Sequence, residues 1–326
     1  MKLGILSAAL GAALIVMPAC AQQRVDVRRP TGAGGTVDVS LTAGSVRVVA
    51  WGRNEVHVTG ELGRGVERVE LRSEGDRLYV QVVAPRGSRN VQGSDLEVRI
   101  PARKTLVVRT TSADAAVEGV TGATTVNSVS GSVEVSGRPA NVEVSTRSGD
   151  VDVDVVTDRV RVQSVSGGLE VRGEVRTEVE AQSVSGDIDV RARVGNLRAQ
   201  SVSGGINAGF VGGRVEAQSV SGDINVQGQR LRGEVESVSG DVVIEGGLDR
   251  GGTTSISSHS GEVELRLTRG TGAEVEFTTF SGEMDLSVAG ARVTRTSRRE
   301  REVILGRGGA RVELRTFSGD VTLTDR

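Results

Sequence analysis

Ten Ser-Gly pairs recur at a nearly constant spacing from about residue 111 onward, and this period restricts the fold more than any other feature of the chain. Their glycines are Gly131, Gly149, Gly167, Gly186, Gly204, Gly222, Gly240, Gly261, Gly282 and Gly319, separated by 18, 18, 19, 18, 18, 18, 21, 21 and 37 residues. A fixed period of this size marks stacked units, each resting on its neighbours.

Within one unit the pattern alternates. Gly149 is followed by Asp150, Val151, Asp152, Val153, Asp154 and Val155. Before Gly186, Val179, Ala181, Ser183 and Ser185 share one parity, with Glu180, Gln182 and Val184 on the other. Strict alternation is the signature of a strand with one buried face. Each unit therefore reads as strand, Ser-Gly turn, strand, second turn, with glycine supplying a positive φ or room for close backbone approach. About 18 residues cannot bury a core alone, but copies stacked at ~4.8 Å can. The predicted fold is all-β, a β-solenoid of two-strand rungs in stacked parallel sheets.

Stacking puts like residues in columns. Val151, Leu169, Ile188, Ile206, Ile224 and Val242 form one inner column. A second holds hydroxyls: Ser128, Thr146, Ser164, Ser183, Ser201, Ser219, Ser237, Ser258, Thr279 and Thr316. A hydroxyl both donates and accepts, so such a column can satisfy itself or the turn backbone without any catalytic role. Outside run a glutamine ladder (Gln163, Gln182, Gln200, Gln218) and an acidic stripe (Asp150, Asp187, Asp223, Asp241, Glu262, Glu283, Asp320). Between the two serines of the motif, an outward line of Val165, Val184, Val202, Val220, Val238, His259, Phe280 and Phe317 forms a candidate interaction ridge. The competing reading half-buries this line in a corner.

Residues 1–21 read as a secretory signal peptide: Lys2, an apolar run from Leu3 to Met17, and the small-x-small triplet Ala19-Cys20-Ala21. Export to the periplasm, the cell surface or the exterior follows. Met17-Pro18-Ala19-Cys20 also resembles a lipoprotein box, a less favoured alternative in which Cys20 is lipidated. Cys20 is the only cysteine, so no intrachain disulfide is available. Residues 22–110 are β-rich but off the period, and are expected to cap the solenoid formed by 111–326. Trp51 and Tyr79 are expected to anchor that cap.

The formal charge of −2 gives no case for nucleic acid. Arg292, Arg295, Arg298, Arg299 and Arg301 crowd one segment and are a candidate anion contact, with a solvated loop as the plainer reading. Catalytic signatures are missing. The two histidines, His57 and His259, lie far apart, and neither G-x-S-x-G nor H-E-x-x-H occurs. Repeated carboxylates give no single pair for glycoside chemistry, and aromatics are 2% of the chain, which leaves few sugar platforms. The acids lie on regular strands instead of a ligand-cradling loop, so no calcium site is assigned. No catalytic, cofactor or metal residues are expected.

Val46-Arg47-Val48-Val49-Ala50-Trp51, Asn54-Glu55-Val56-His57-Val58, Leu96-Glu97-Val98-Arg99-Ile100-Pro101 and the Ser-Val-Ser-Gly-Asp-Ile rungs together resemble the bacterial "putative adhesin" family, a domain of unknown function. They are also similar to its relative, the auto-transporter adhesin head domain. The resemblance implies an exported β-solenoid with an adhesive or envelope role, and it supplies no catalytic residues. The wider spacing after Gly240 and the arginine-rich insertion depart from the pattern. Sequence thus points to a non-enzymatic envelope protein that binds a polymer, a surface or another protein. Self-assembly into a structural array is the alternative, and a polysaccharide-active enzyme comes third.

Overall fold

The computed structural model describes residues 23–83 and 92–325, and every regular element in it is a strand. The expected signal peptide and Cys20 lie outside the described residues. The N-terminal strands are β1 (Gln23–Pro30), β2 (Thr36–Trp51), β3 (Glu55–Leu62), β4 (Arg68–Glu74), β5 (Arg77–Val83) and β6 (Ser94–Pro101). The regular array follows as β7 (Thr105–Glu118), β8 (Thr124–Ser130), β9 (Val133–Gly137), β10 (Asn141–Ser145), β11 (Val151–Gln163), β12 (Leu169–Ser183), β13 (Ile188–Ser201), β14 (Ile206–Ser219) and β15 (Ile224–Ser237). The chain ends in β16 (Val242–Leu248), β17 (Thr253–Ser258), β18 (Val263–Leu267), β19 (Ala273–Ser281), β20 (Met284–Ser287), β21 (Arg292–Thr296), β22 (Glu300–Leu305), β23 (Ala310–Ser318) and β24 (Val321–Asp325).

The array is a β-solenoid of parallel rungs. Val151 pairs with Leu169, Leu169 with Ile188, Ile188 with Ile206, Ile206 with Ile224 and Ile224 with Val242, as the column predicts. These residues are at most 2% exposed, and the alternate positions face water. One detail differs from the sequence reading. In β11 to β13 the second turn is a bulged bend inside a continuous strand, with register shifts at Thr157/Arg159 and Val175/Glu178. A bulge bends a strand without ending its ladder, so each rung stays one strand from one Ser-Gly turn to the next.

Both ends depart from simple sequential stacking. β2 pairs in parallel with β7 on one side and with β5 and β6 on the other. The ladder therefore runs back to Thr36, and residue 111 falls inside β7. Beyond β6 the pairing turns antiparallel, first to β3 and then to β1, while β4 closes on β5 through the hairpin at Gly75-Asp76.

At the other end the final rung is threaded inward. β23 lies between β17 and β19, and β24 lies between β18 and β20. The Gly319 rung thus separates the Gly261 and Gly282 rungs, although it comes last in sequence. β22 then pairs antiparallel with β19, and β21 with β22. Antiparallel strands carrying Arg24, Asp26, Arg28 and Arg29 at one end, and Arg292 and Arg295 at the other, close the stack. Charged edge strands discourage pairing with another sheet.

Trp51 and Tyr79 sit at the rim of the cap, a correction to their expected role as its anchors. Arg53 lies 5.3 Å over the Trp51 ring, Arg72 lies 5.3 Å over Tyr79, and both rings are half-buried. The cap core is aliphatic, built from residues such as Val56, Val58, Val98 and Ile100, all 0% exposed.

Candidate functional site

The inner hydroxyl holds the Ser-Gly corner in one way along the middle of the array and in another toward its C-terminal end. The inner hydroxyl accepts the N–H of the glycine three residues on: Ser164 from Gly167 at 2.8 Å, and Ser201 from Gly204 and Ser219 from Gly222 at 2.9 Å. Toward the C-terminal end the hydroxyl instead donates to the glycine carbonyl of the rung before it in the stack, as Ser258 does to Gly240 at 3.1 Å. Thr146 is an exception, with no partner for its buried Oγ1 among the described residues. The glycines are needed for close approach. A Cβ on Gly204 would lie 2.1 Å from the Gly186 carbonyl oxygen, and one on Gly167 would lie 1.9 Å from that of Gly149. Of the ten motif glycines, only Gly131 has a positive φ, at 112°.

This corner pushes the residue between the two serines outward on every rung. In stacking order the crest reads Val129, Arg147, Val165, Val184, Val202, Val220, Val238, His259, Phe317, Phe280, joined by backbone bonds such as Ser203 N–H to the Val184 carbonyl and Ser318 N–H to the His259 carbonyl. The five central valines are 44 to 46% exposed, so about half of each side chain is covered by its neighbours and half faces solvent. Nine large hydrophobic side chains are exposed among the described residues, and all but Val293 lie on this one line. Such alignment is unlike the scattered single exposures of an ordinary surface.

The aromatic end of the crest is a stack. The His259 and Phe317 rings lie 4.9 Å apart at 9°, and Phe317 and Phe280 lie 4.9 Å apart at 1°. The Arg299 guanidinium closes the column 4.0 Å over Phe280. Ring faces are spent on one another, so ring edges meet solvent, and the stack is no sugar platform.

Beside the crest runs a long groove floored by the Ser/Thr column. Its far wall is the amide ladder, in which Gln163 donates to Gln182 at 3.0 Å, Gln182 to Gln200 at 3.2 Å and Gln200 to Gln218 at 3.1 Å. Gln218 donates on to Glu236 at 3.3 Å. The groove passes Gln163 to Val202, then Gln200 to His259, and ends at Phe280, Phe317, Arg299 and Arg315. The middle stretch encloses about 550 Å³. Glu236 is the feature that sequence reasoning missed. Burial, then the neighbouring Glu234 charge, holds its carboxyl above the usual range. Its position in the glutamine column was the available signal.

The acidic stripe lies on the other side of the corner and has a structural use. Asp150 accepts the N–H of Gly168 at 2.9 Å, Asp187 that of Gly205 at 2.8 Å, and Asp241 that of Glu262 at 2.8 Å. Each carboxylate thus serves a backbone donor on the next rung. No group of His, Cys, Asp and Glu suited to a metal ion occurs among the described residues.

The five clustered arginines are dispersed by the β21–β22 hairpin. Arg301 donates to the Met284 carbonyl at 3.0 Å, Arg295 lies 3.4 Å from Glu300, and Arg292 and Arg298 face solvent. Arg299 alone joins the crest. His57 belongs to the cap, 2.8 Å from Asp26.

The model of the Toastrack DUF4097 family matches this chain twice, over residues 88–218 and 213–324. The chain belongs to the Toastrack DUF4097 family. The family resemblance carried by the Ser-Gly rungs is thereby shown, and the family is a domain of unknown function. The two matches meet within β14 of the Toastrack array, so each takes in one run of rungs. Among solved structures, a "putative adhesin" from Bacteroides fragilis NCTC 9343 is 11% identical with a TM-score of 0.37, covering 92% of this chain and 97% of its own. One from Parabacteroides merdae ATCC 43184 is 7% identical with a TM-score of 0.34, covering 92% and 96%. A "putative cell adhesion protein" from Clostridium sporogenes ATCC 15579 is 8% identical with a TM-score of 0.20, covering 93% and 100%. The curated proteins include no match. No helix among the described residues of this Toastrack chain is long and apolar enough to cross a membrane.

Proposed function

We propose that this Toastrack chain is an exported, non-enzymatic binding module that attaches to a cell-envelope polymer or surface along its crest and groove. One observation carries the reading: among the described residues, all but one of the exposed large hydrophobic side chains lie on a single line, rimmed by serine hydroxyls and a glutamine ladder. An apolar strip with neutral polar rims suits a long ligand lying along the solenoid axis. Gln163 and Gln200 each donate one N–H to the next carboxamide, leaving a second for a ligand, whereas Gln182 donates to both Gln200 and Glu180. Arg299 gives the C-terminal end of the groove a positive charge, beside Arg315, which is paired with Glu313 at 3.0 Å.

Catalysis on polysaccharide has weaker support. Glu236 and His259 border the same stretch of groove, but Glu236 is its one carboxylate among the described lining residues, and glycoside cleavage uses two.

Cosedimentation with the cell's own envelope fractions tests the proposal. The chain is expected to pellet with envelope and stay soluble without it, with Val184→Asp/Val220→Asp reducing the pelleted fraction. A chain that stays in the supernatant in both cases overturns the reading. Loss of pelleting at high salt would assign part of the contact to Arg299.

A further inference from the structure

The crest is periodic, and its period limits what can lie along it. Rungs repeat at ~4.8 Å. A partner with another repeat falls out of step within a few rungs, whereas a second copy of this chain stays in step along the whole line. Few other surfaces of the array suit a second copy. Outward positions on the strands carry charges bridged within and between rungs, as in Arg161–Glu180 at 2.6 Å and Arg198–Glu216 at 2.5 Å. The two ends are closed by the charged edge strands β1 and β21.

We propose that two copies of the chain pair crest to crest, antiparallel, about a twofold axis at Val202. This rests on the reading above in taking the crest as the contact surface. The register follows from the residues. The valine run from Val165 to Val238 is centred on Val202, so only an axis there sets every valine against a valine. Val165 then meets the partner's Val238, and Val184 meets the partner's Val220. Arg147 falls opposite the partner's His259, and Val129 opposite the partner's Phe317.

The direction follows from charge. A parallel pair would set Arg147 against the partner's Arg147 and Arg299 against the partner's Arg299, and like charges across an interface are costly. Antiparallel pairing removes both encounters. The area is adequate for a weak dimer. Nine crest positions, Val129 to Phe317, pair in this register and span about 38 Å, and the crest with its flanking serine and glutamine columns is about 14 Å wide. The product, roughly 540 Å² per copy, places the pair among weak, transient interfaces.

Disulfide trapping separates the arrangements, because a Cys20→Ser background leaves the chain without cysteine. Val202→Cys is expected to link to itself on mild oxidation. Val165→Cys is expected not to link to itself, and to link when mixed with Val238→Cys. In sedimentation velocity the full chain is expected to show a concentration-dependent dimer, which Val202→Asp weakens at least about tenfold with an unchanged melting temperature. Self-linking by Val165→Cys overturns the antiparallel arrangement. A chain that stays monomeric, or a dimer indifferent to Val202→Asp, overturns the pairing. Pairing covers the crest that docking would use, so the two compete and envelope is expected to displace the pair; a monomer that pellets sinks the pairing alone, and a dimer that stays soluble sinks the docking alone.

Discussion

The Ser183 hydroxyl accepts the Gly186 N–H at 2.9 Å, and a Cβ on Gly186 would lie 2.0 Å from the carbonyl oxygen of Gly167 on the preceding rung. One contact satisfies a buried donor, and the other sets how closely rungs approach. Their losses should differ in size. Ser183→Ala leaves that N–H unpaired and should cost about 1–2 kcal/mol. Gly186→Ala forces two backbones apart, since the atom it meets is a carbonyl oxygen, and should cost about 3 kcal/mol or more. Urea denaturation of the two variants measures the difference. Equal losses would show that the rungs can spread to admit a methyl group.

Parity along a strand makes a second prediction. Val190 is 0% exposed and Val202 is 45% exposed, although both are valines on one rung. Val190→Asp buries a carboxylate and should cost several kcal/mol. Val202→Asp should change stability by no more than about 0.5 kcal/mol. Thermal melts that coincide would place the register wrongly.

The acidic stripe should behave as part of the backbone ladder. Asp241 accepts from Glu262 N–H at 2.8 Å and receives no salt bridge among the described residues. Asp241→Asn keeps an acceptor oxygen and should cost little, whereas Asp241→Ala should cost about 1 kcal/mol. Millimolar calcium should leave the melting temperature unchanged. A calcium-dependent rise would return the stripe to metal binding.

Glu236 sets a pH dependence. Its folded carboxyl is held above the usual range by burial and by Glu234, so the native state binds more protons than the unfolded chain just above the ordinary carboxylate pKa. Stability therefore falls as pH rises through that window. Glu236→Gln removes the titrating group and extends the amide ladder by one member. It should raise stability near pH 7 by about 0.5 kcal/mol and flatten its pH dependence. Denaturation curves from pH 4 to 7 check the sign, and a variant less stable at pH 7 would contradict the assigned cause.

Much of this molecule was legible because a solenoid turns sequence period into spatial columns. The alternation around Gly149 and Gly186 fixed which residues face inward, and the ladder Val151–Leu169–Ile188 follows from spacing alone. The crest and the glutamine wall were equally plain, since each occupies one offset from the glycine. The β21–β22 hairpin was hidden, because an antiparallel return is set by non-local pairing, and with it the stacking of Arg299 on Phe280. The order of the last rungs was hidden too. Val275 and Phe277 in β19 carry the same inward pattern as Val312 and Leu314 in β23. Either strand could follow β17 as far as hydrophobic alternation is concerned, so periodicity could not decide between them.

That threading yields the last prediction. Ser260, Ser318 and Ser281 occupy equivalent positions on rungs that stack in that order, shown by the Ser318 N–H bonded to the His259 carbonyl at 3.0 Å and by the pairing of Ser281 with Ser318. Adjacent parallel rungs put equivalent Cα atoms ~4.8 Å apart, within disulfide range, while rungs two apart lie at about twice that distance and outside it. In a Cys20→Ser background, Ser260→Cys with Ser318→Cys should form an intrachain bond on mild oxidation. Ser260→Cys with Ser281→Cys should not, although those positions are closer in sequence. Non-reducing peptide mapping reads the outcome directly. If the second pair closed and the first did not, the rungs would be stacked in sequence order. β22 and β23 would then compete for the same free edge of β19, and the arginine hairpin would lose its place over Phe280.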